Sequence, residues 1–136
     1  MDCVFCKIVE SKIKSEIIYR DDHSLALLDL NPHTPGHTLV IPTVHTKNIL
    51  ELPPEEIAPL FLTVRRITAI LQESLKPESI TIGINHNEER GVPHLHIHLM
   101  PRYRSDGGKV IQSLVESPSL TPVNEMAKLL IAAQKK

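Results

Sequence analysis

The chain has 136 residues, 41% hydrophobic and 23% charged, with 15 basic against 16 acidic side chains and a formal net charge of -1. That length suits one compact domain burying about two-thirds of its unfolded surface, and the near-neutral balance gives no long-range pull on a nucleic-acid backbone, which argues against a polymeric nucleic-acid partner. No apolar run approaches the roughly 20 residues that span a bilayer, and the start Met-Asp-Cys-Val-Phe-Cys lacks the basic and then apolar pattern of a secretory signal, so the cytoplasm is the expected compartment.

Cys3 and Cys6 open the chain as a C-x2-C pair. In a reducing compartment such a pair reads as half of a metal site rather than as a disulfide, with a redox dithiol as the alternative. Val4, Phe5, Ile8 and Val9 form the apolar face of a helix too short to stand alone. Ile17–Tyr19 and Ser24–Leu28 are predicted strands of a hairpin around the polar turn Arg20–His23. Asp29 closes the second strand, Asn31-Pro-His-Thr-Pro-Gly36 is a loop, and Thr38–Pro42 is a continuous apolar run of the kind found in buried strands.

His45 and Asn48 lie in the next connection. Ile57, Leu60, Val64, Ile67 and Leu71 recur at three and four residues, which predicts the principal helix from Pro54 to about Leu75. Pro59 is expected in its first turn or at a start shifted downstream, and Thr63, Arg65, Arg66 and Thr68 are expected on its solvent faces, with the arginine pair solvated rather than bound to phosphate. Ser79–Ile84 is a further strand. The polar bend 85–91 that follows is too short for a parallel crossover, so the next strand must pair with it antiparallel.

That strand is His94-Leu-His-Ile-His-Leu-Met100, with Pro101–Gly108 as its terminator. With a period of two, His94, His96 and His98 share one face while Leu95, Ile97 and Leu99 share the other. The imidazoles face a site and the aliphatics a core. Imidazole, with an ordinary pKa of about 6.5, suits metal binding, proton transfer or attack near neutral pH. Val110, Ile111, Leu114 and Val115 give a weak apolar pattern, and Pro122–Ala133 a final short helix. The fold class is α+β: an antiparallel sheet with one long helix and short terminal helices, in a single domain over 1–136 with 104–136 as a C-terminal extension packed on it.

Two thiolates need two further ligands to complete a tetrahedral ion. His45 and His94 are favoured, ahead of His23, His33 and His86.

The run from His94 to Met100 resembles the histidine triad (HIT) signature, and Asp29-Leu-Asn-Pro-His-Thr-Pro-Gly-His-Thr-Leu-Val-Ile-Pro42 resembles the nucleotide-binding segment of the same family. The likeness covers most of the chain, from Cys3 to Tyr103, and is nearest to a bacterial nucleoside-phosphoramidase-like branch. The resemblance implies a HIT-like sheet and a structural zinc on Cys3, Cys6, His45 and His94, with all four positions taken by protein. It implies attack on an α-phosphorus by His96 to form a covalent nucleotidyl-histidine, phosphoryl stabilisation by His98, and support from His37. It implies an apolar base slot at Phe5, Ile8 and Leu27, with ribose hydroxyls held by Asp29, while Asn85, just before the histidine strand, either binds a phosphate oxygen or organises the loop. The expected ligands are a purine nucleoside monophosphate and its phosphate adducts, and the expected assembly is a homodimer that uses the apolar face 57–71 and a sheet edge.

No catalytic magnesium is expected, since neither paired carboxylates nor a Gly-rich lysine loop is present. The resemblance leaves two alternatives: a diadenosine polyphosphate hydrolase or nucleotidyl transferase, and a nucleotide-binding regulatory protein with weak activity. The chain departs from the family pattern before the triad, where Arg90 stands at the usual Gln and Gly91 at the usual Ser or Thr. A hydroxyl is lost there and a cation gained.

Overall fold

In the computed structural model, which describes residues 2–135, a five-stranded antiparallel sheet separates two apolar cores. Strands β1 (Ile17–Arg20), β2 (Ser24–Leu28), β3 (Thr38–Pro42), β4 (Ser79–Gly83) and β5 (Ile97–Arg102) lie in the order β1-β2-β3-β5-β4. Helices α1 (Val4–Val9), α2 (Pro54–Leu75) and α3 (Val123–Ala133) complete the chain, with a 3-10 turn at Ile111–Ser113. Met1 and Lys136, which the expected domain span includes, lie outside the described residues.

Period-two alternation sorts the strand residues between the cores. Ala26, Val40, Leu95, Ile97 and Leu99 face α2, where Leu60, Val64, Ile67 and Leu71 are buried. Leu25, Leu27, Leu39 and Ile41 face the other way, onto Cys3, Phe5 and Ile8 of the amino-terminal segment. Strand β3 is buried on both faces, which explains its unbroken apolar run. Each fully buried Leu, Ile or Phe contributes about 1.5–3 kcal/mol, so the alternation strongly specifies register, because a one-residue slip would turn the imidazoles of the last strand into the α2 core.

Several local expectations are corrected. Helix α2 begins at Pro54, so Pro59 sits in its second turn; the ring removes one N–H and leaves the carbonyl of the exposed Glu55 to solvent. Thr63 is buried, not solvated, and its hydroxyl meets that of Ser24 at 2.6 Å, tying α2 to β2. Arg66 lies over the Tyr19 ring at 4.9 Å, a cation–π contact. Leu60, Val64, Ile67 and Leu71 are consumed by the chain's own core, so most of the apolar face 57–71 is closed to a partner.

The ladder of β5 starts at Ile97, because the carbonyl of His94 is taken by a side chain and Leu95 N–H donates to Thr46 O at 2.7 Å. It then runs through Pro101 to Arg102. Pro101 is tolerated there because β3 stops pairing at Leu99, and Thr34 Oγ1 donates to the Pro101 carbonyl at 2.8 Å on that side. Beyond it the Arg102 guanidinium grips Asp106 at 2.9 Å and the Lys109 carbonyl at 2.8 Å, folding the extension back toward β4. The remainder of 104–135 is exposed within one chain, and α3 buries none of its residues.

Candidate functional site

The three triad imidazoles occupy different surroundings, and in each case one ring nitrogen is committed to the protein. His94 is fully buried, and its Nε2–H donates to the Pro42 carbonyl at 2.9 Å. A carbonyl only accepts, so Nδ1 is left bare. It points at Cys3 Sγ and Cys6 Sγ, 3.5 Å from each, while His45 Nδ1 lies 3.2 Å from Cys6 Sγ. All four ligand atoms fall within 4.8 Å of one another.

Zinc–sulfur bonds near 2.3 Å and zinc–nitrogen bonds near 2.0–2.1 Å put tetrahedral S···N separations at about 3.6 Å. The four residues therefore fit a zinc ion. Cys3 also caps α1, with Cys6 N–H donating to its sulfur at 3.4 Å. Burial, then the hydrogen bond and charge of Cys3, push the Cys6 thiol up to about 11, so without a cation beside it Cys6 stays a neutral thiol.

His96 is half-buried, and its Nδ1–H donates to the His94 carbonyl at 2.7 Å. Its Nε2 therefore carries the lone pair. The Phe5 ring stands edge-on to both His94 and His96, with centroids 5.9 and 5.3 Å away. His98 belongs to a second chain of donors: His33 N–H donates to His37 Nδ1 at 3.2 Å, and His37 Nε2–H donates to His98 Nδ1 at 2.9 Å. His98 is left with Nε2–H as a free donor.

Burial is the main reason that the pKa values of both His37 and His98 are lowered; for His98 the neighbouring His96 and His37 add to it, while Asp29 and Glu88 oppose. The neutral tautomers are thus the resting ones. Asp29 Oδ2 lies 3.6 Å from His37 Nε2, and Asp29 Oδ1 accepts from Asn31 N–H at 2.9 Å. Although Asp29, His37 and His98 cluster closely, the two imidazoles share a proton instead of facing a common ion.

Gly36 aims His37. Its φ of +88° is open to glycine and strained for other residues, and a Cβ there would lie 2.5 Å from Leu75 Cδ1 and 3.1 Å from Pro101 Cγ. The backbone can turn tightly against the end of α2 only because the side chain is absent.

Phe5, Ile8, Leu27, Asp29, His37, Asn85, Arg90, His96 and His98, the nine residues expected at the substrate site, all line one cavity of about 790 Å3. The four expected metal ligands form a separate cluster. Sequence reasoning missed Leu39, Met100 and Glu88 on the same cavity. Leu39 and Met100 were legible in principle, because they stand at even spacing from residues already placed on that face. Glu88 was not: its carboxyl end fills the space over Gly91, with Cδ 2.8 Å from where a Cβ would stand, a contact set by the bend alone.

The HIT domain family matches residues 10–105. The chain belongs to the HIT family. Among its relatives, the adenylylsulfatase HINT3 of Arabidopsis thaliana is 35% identical over 107 residues, covering 77% of this chain and 54% of that protein. A HIT family protein of Bacillus subtilis superposes with a TM-score of 0.87 at 30% identity, covering 100% of this chain and 97% of that one. A zinc-bound histidine triad family protein of Mycobacterium smegmatis does so with a TM-score of 0.73 at 36% identity, covering 98% and 93%. The antiparallel sheet with one long helix is thus the HIT fold. No helix among the described residues is long and apolar enough to cross a membrane.

Proposed function

We propose that this HIT protein is a nucleotide hydrolase that releases a nucleoside monophosphate from a phosphoramidate or related adduct through a covalent nucleotidyl-His96. The observation that carries the reading is the hydrogen bond from His96 Nδ1–H to the His94 carbonyl, which leaves a bare Nε2 facing the cavity beside the donor Nε2–H of His98. Asp29 accepts from the ribose hydroxyls, and Phe5, Ile8 and Leu27 sandwich a purine base. Asn85 and Arg90 stand on the phosphate side.

His96 Nε2 attacks the α-phosphorus while the bond to the leaving nitrogen or oxygen breaks, and the departing atom keeps the electron pair and takes up a proton. His98 Nε2–H donates to a non-bridging oxygen as charge builds there. His37 is a positioning residue, holding His98 in the tautomer that can donate. Water then attacks the same phosphorus, the P–N bond to His96 breaks, and the monophosphate leaves.

Cys3, Cys6, His45 and His94 hold a structural zinc that cross-links the amino terminus to the sheet, with every position taken by protein. No catalytic magnesium is invoked in this reading. The reduced Cys3 and Cys6 suit the cytoplasm. A homodimer is supported by the open edge of β4 and by Phe61, Leu62 and Ile70, which remain 40%, 61% and 44% exposed on α2. A monomeric mass by light scattering at micromolar concentration would count against it.

A second reading, hydrolysis of an adenylyl sulfate, is favoured by the named activity of the Arabidopsis relative. Rapid-quench intact-mass analysis with an adenylyl amine tests the main reading. Wild type should gain one adenylyl group mapped to His96, His98→Ala should gain it slowly, and His96→Ala should neither gain it nor turn over while still binding nucleotide. Normal turnover by folded His96→Ala, or an adduct on another residue, refutes the assignment.

A further inference from the structure

Between β2 and β3 the chain leaves the sheet in a loop that holds Pro32 and Pro35 and delivers His37. Bonds within the loop set its shape: His37 N–H donates to the Thr34 carbonyl at 3.1 Å, and His33 N–H donates to His37 Nδ1 at 3.2 Å. They do not set its place against β5, the strand that carries His98. Main-chain pairing of β3 with β5 ends at Thr38 and Leu99, and neither Pro35 nor Pro101 has an N–H with which to extend it.

Past that point two hydroxyls take over. Thr34 Oγ1–H donates to the Pro101 carbonyl at 2.8 Å, and Tyr103 Oη–H donates to the Pro35 carbonyl at 3.0 Å. Each segment gives the other one donor and one acceptor. The second bond grips the rigid peptide unit between Pro35 and Gly36, one residue short of His37. Tyr103 is itself fixed, because its N–H donates to Asp106 Oδ2 at 3.0 Å, and Asp106 also accepts from Arg102 Nε at 2.9 Å and Gly108 N–H at 2.8 Å. Tyr103 is half-buried and does not line the substrate cavity.

We propose that Thr34 and Tyr103 form a clamp that positions His37, and through it His98, for the hydrolase reading above, on which the inference rests. His37 reaches His98 through one hydrogen bond of 2.9 Å, and that bond keeps the proton of His98 on Nε2, where it faces the phosphoryl group. A hydrogen bond weakens steeply with misalignment, so a loop released from β5 lets His98 share its proton between both ring nitrogens. The donor is then present only part of the time. Tyr103 touches neither substrate nor reacting atoms, and it is a positioning residue.

The test reads the imidazoles directly. Proton–nitrogen correlation spectra of protein carrying nitrogen-15 histidine distinguish the two neutral tautomers, and wild type near neutral pH should show His98 as a single Nε2–H form. Tyr103→Phe deletes only a hydroxyl, and it should move the His98 nitrogens toward tautomer-averaged shifts while His96 keeps its Nδ1–H form. Thr34→Val should do the same and Thr34→Ser should not. With an adenylyl amine, kcat of Tyr103→Phe should fall about five- to twenty-fold with KM within about two-fold of wild type, since the nucleoside contacts are untouched. His98 signals in Tyr103→Phe that match wild type, or a loss confined to KM, overturn the clamp. Averaged His98 signals in Tyr103→Phe, with no turnover of the adenylyl amine by wild type, leave the clamp on the two imidazoles standing and overturn the hydrolase reading alone.

Discussion

Stripping the metal should undock α1 and, with it, one wall of the nucleotide site. The helix is six residues long and buries Phe5 and Ile8. That burial is worth about 3–6 kcal/mol in total, whereas ordering six backbone residues costs about 6–12 kcal/mol. Apolar contact alone therefore falls short by a few kcal/mol, and a zinc cross-link from Cys3 and Cys6 to His45 and His94, as proposed above, would supply the difference. Hydrogen exchange with mass spectrometry reads this directly. After chelation the amides of residues 4–10 should exchange at nearly unprotected rates while those of β3 and α2 stay slow, and adding zinc should restore protection. AMP affinity should fall in parallel, because Phe5 packs at 5.3 Å from His96 and lines the cavity. Unchanged protection of α1 in protein shown to be metal-free would refute the reasoning.

The neutral His37–His98 pair predicts an acid-sensitive fold. Both imidazoles have pKa values lowered by burial, so below pH about 6.5 the unfolded chain binds protons that the folded chain resists, and stability drops as pH falls. His23, raised by Glu56, works in the opposite direction from an exposed position. Urea midpoints at pH 7.5, 6.5 and 5.5 should therefore fall more steeply for wild type than for His98→Gln, a difference from which metal loss cancels; parallel slopes would contradict it. Gly36→Ala combines a left-handed backbone, about 1–2 kcal/mol for a non-glycine residue, with overpacking against Leu75 and Pro101, about 1–3 kcal/mol. A loss of roughly 2–5 kcal/mol by denaturation is expected, together with reduced turnover from a displaced His37, and a loss under 1 kcal/mol would show that the loop relaxes freely.

The strands and α2 were legible because each carries a periodic apolar pattern that one core can satisfy. Leu25, Leu27, Leu39 and Ile41 against Ala26 and Val40 is such a pattern, and both sets are buried. Thr63 was misread because a hydroxyl on a helix looks solvent-facing until a partner such as Ser24 Oγ is known to stand opposite. The continuation of β5 through Pro101 was hidden for a related reason: whether a proline breaks a strand depends on whether a neighbour needs its N–H, and here β3 has already ended. The extension carries apolar residues such as Leu120 and Val123, yet these stay 83% and 86% exposed within one chain, so composition gave no guide to where it lies. At the site, residue types and spacing pointed to the cavity and the metal cluster. The direction of each proton did not follow from spacing, since that depends on which atoms the fold sets against each ring, such as the Pro42 carbonyl on His94 and the His37 imidazole on His98.

Those partners, two backbone carbonyls and one imidazole, explain why three like side chains at one spacing divide their work. A carbonyl on Nε2 of His94 turns Nδ1 toward the thiols; a carbonyl on Nδ1 of His96 turns a lone pair toward the cavity; an N–H from His37 on Nδ1 of His98 leaves a donor. His94 joins the first two roles, because its ring reaches toward Cys3 and Cys6 while its own carbonyl fixes the tautomer of His96. A substitution at His94 therefore acts on the metal cluster through the ring and on His96, the proposed nucleophile, through any shift of the main chain. At His96 the carbonyl that it uses belongs to another residue and survives its replacement. Loss of folding with loss of metal on changing His94, against loss of chemistry with metal retained on changing His96, is the division that this geometry requires.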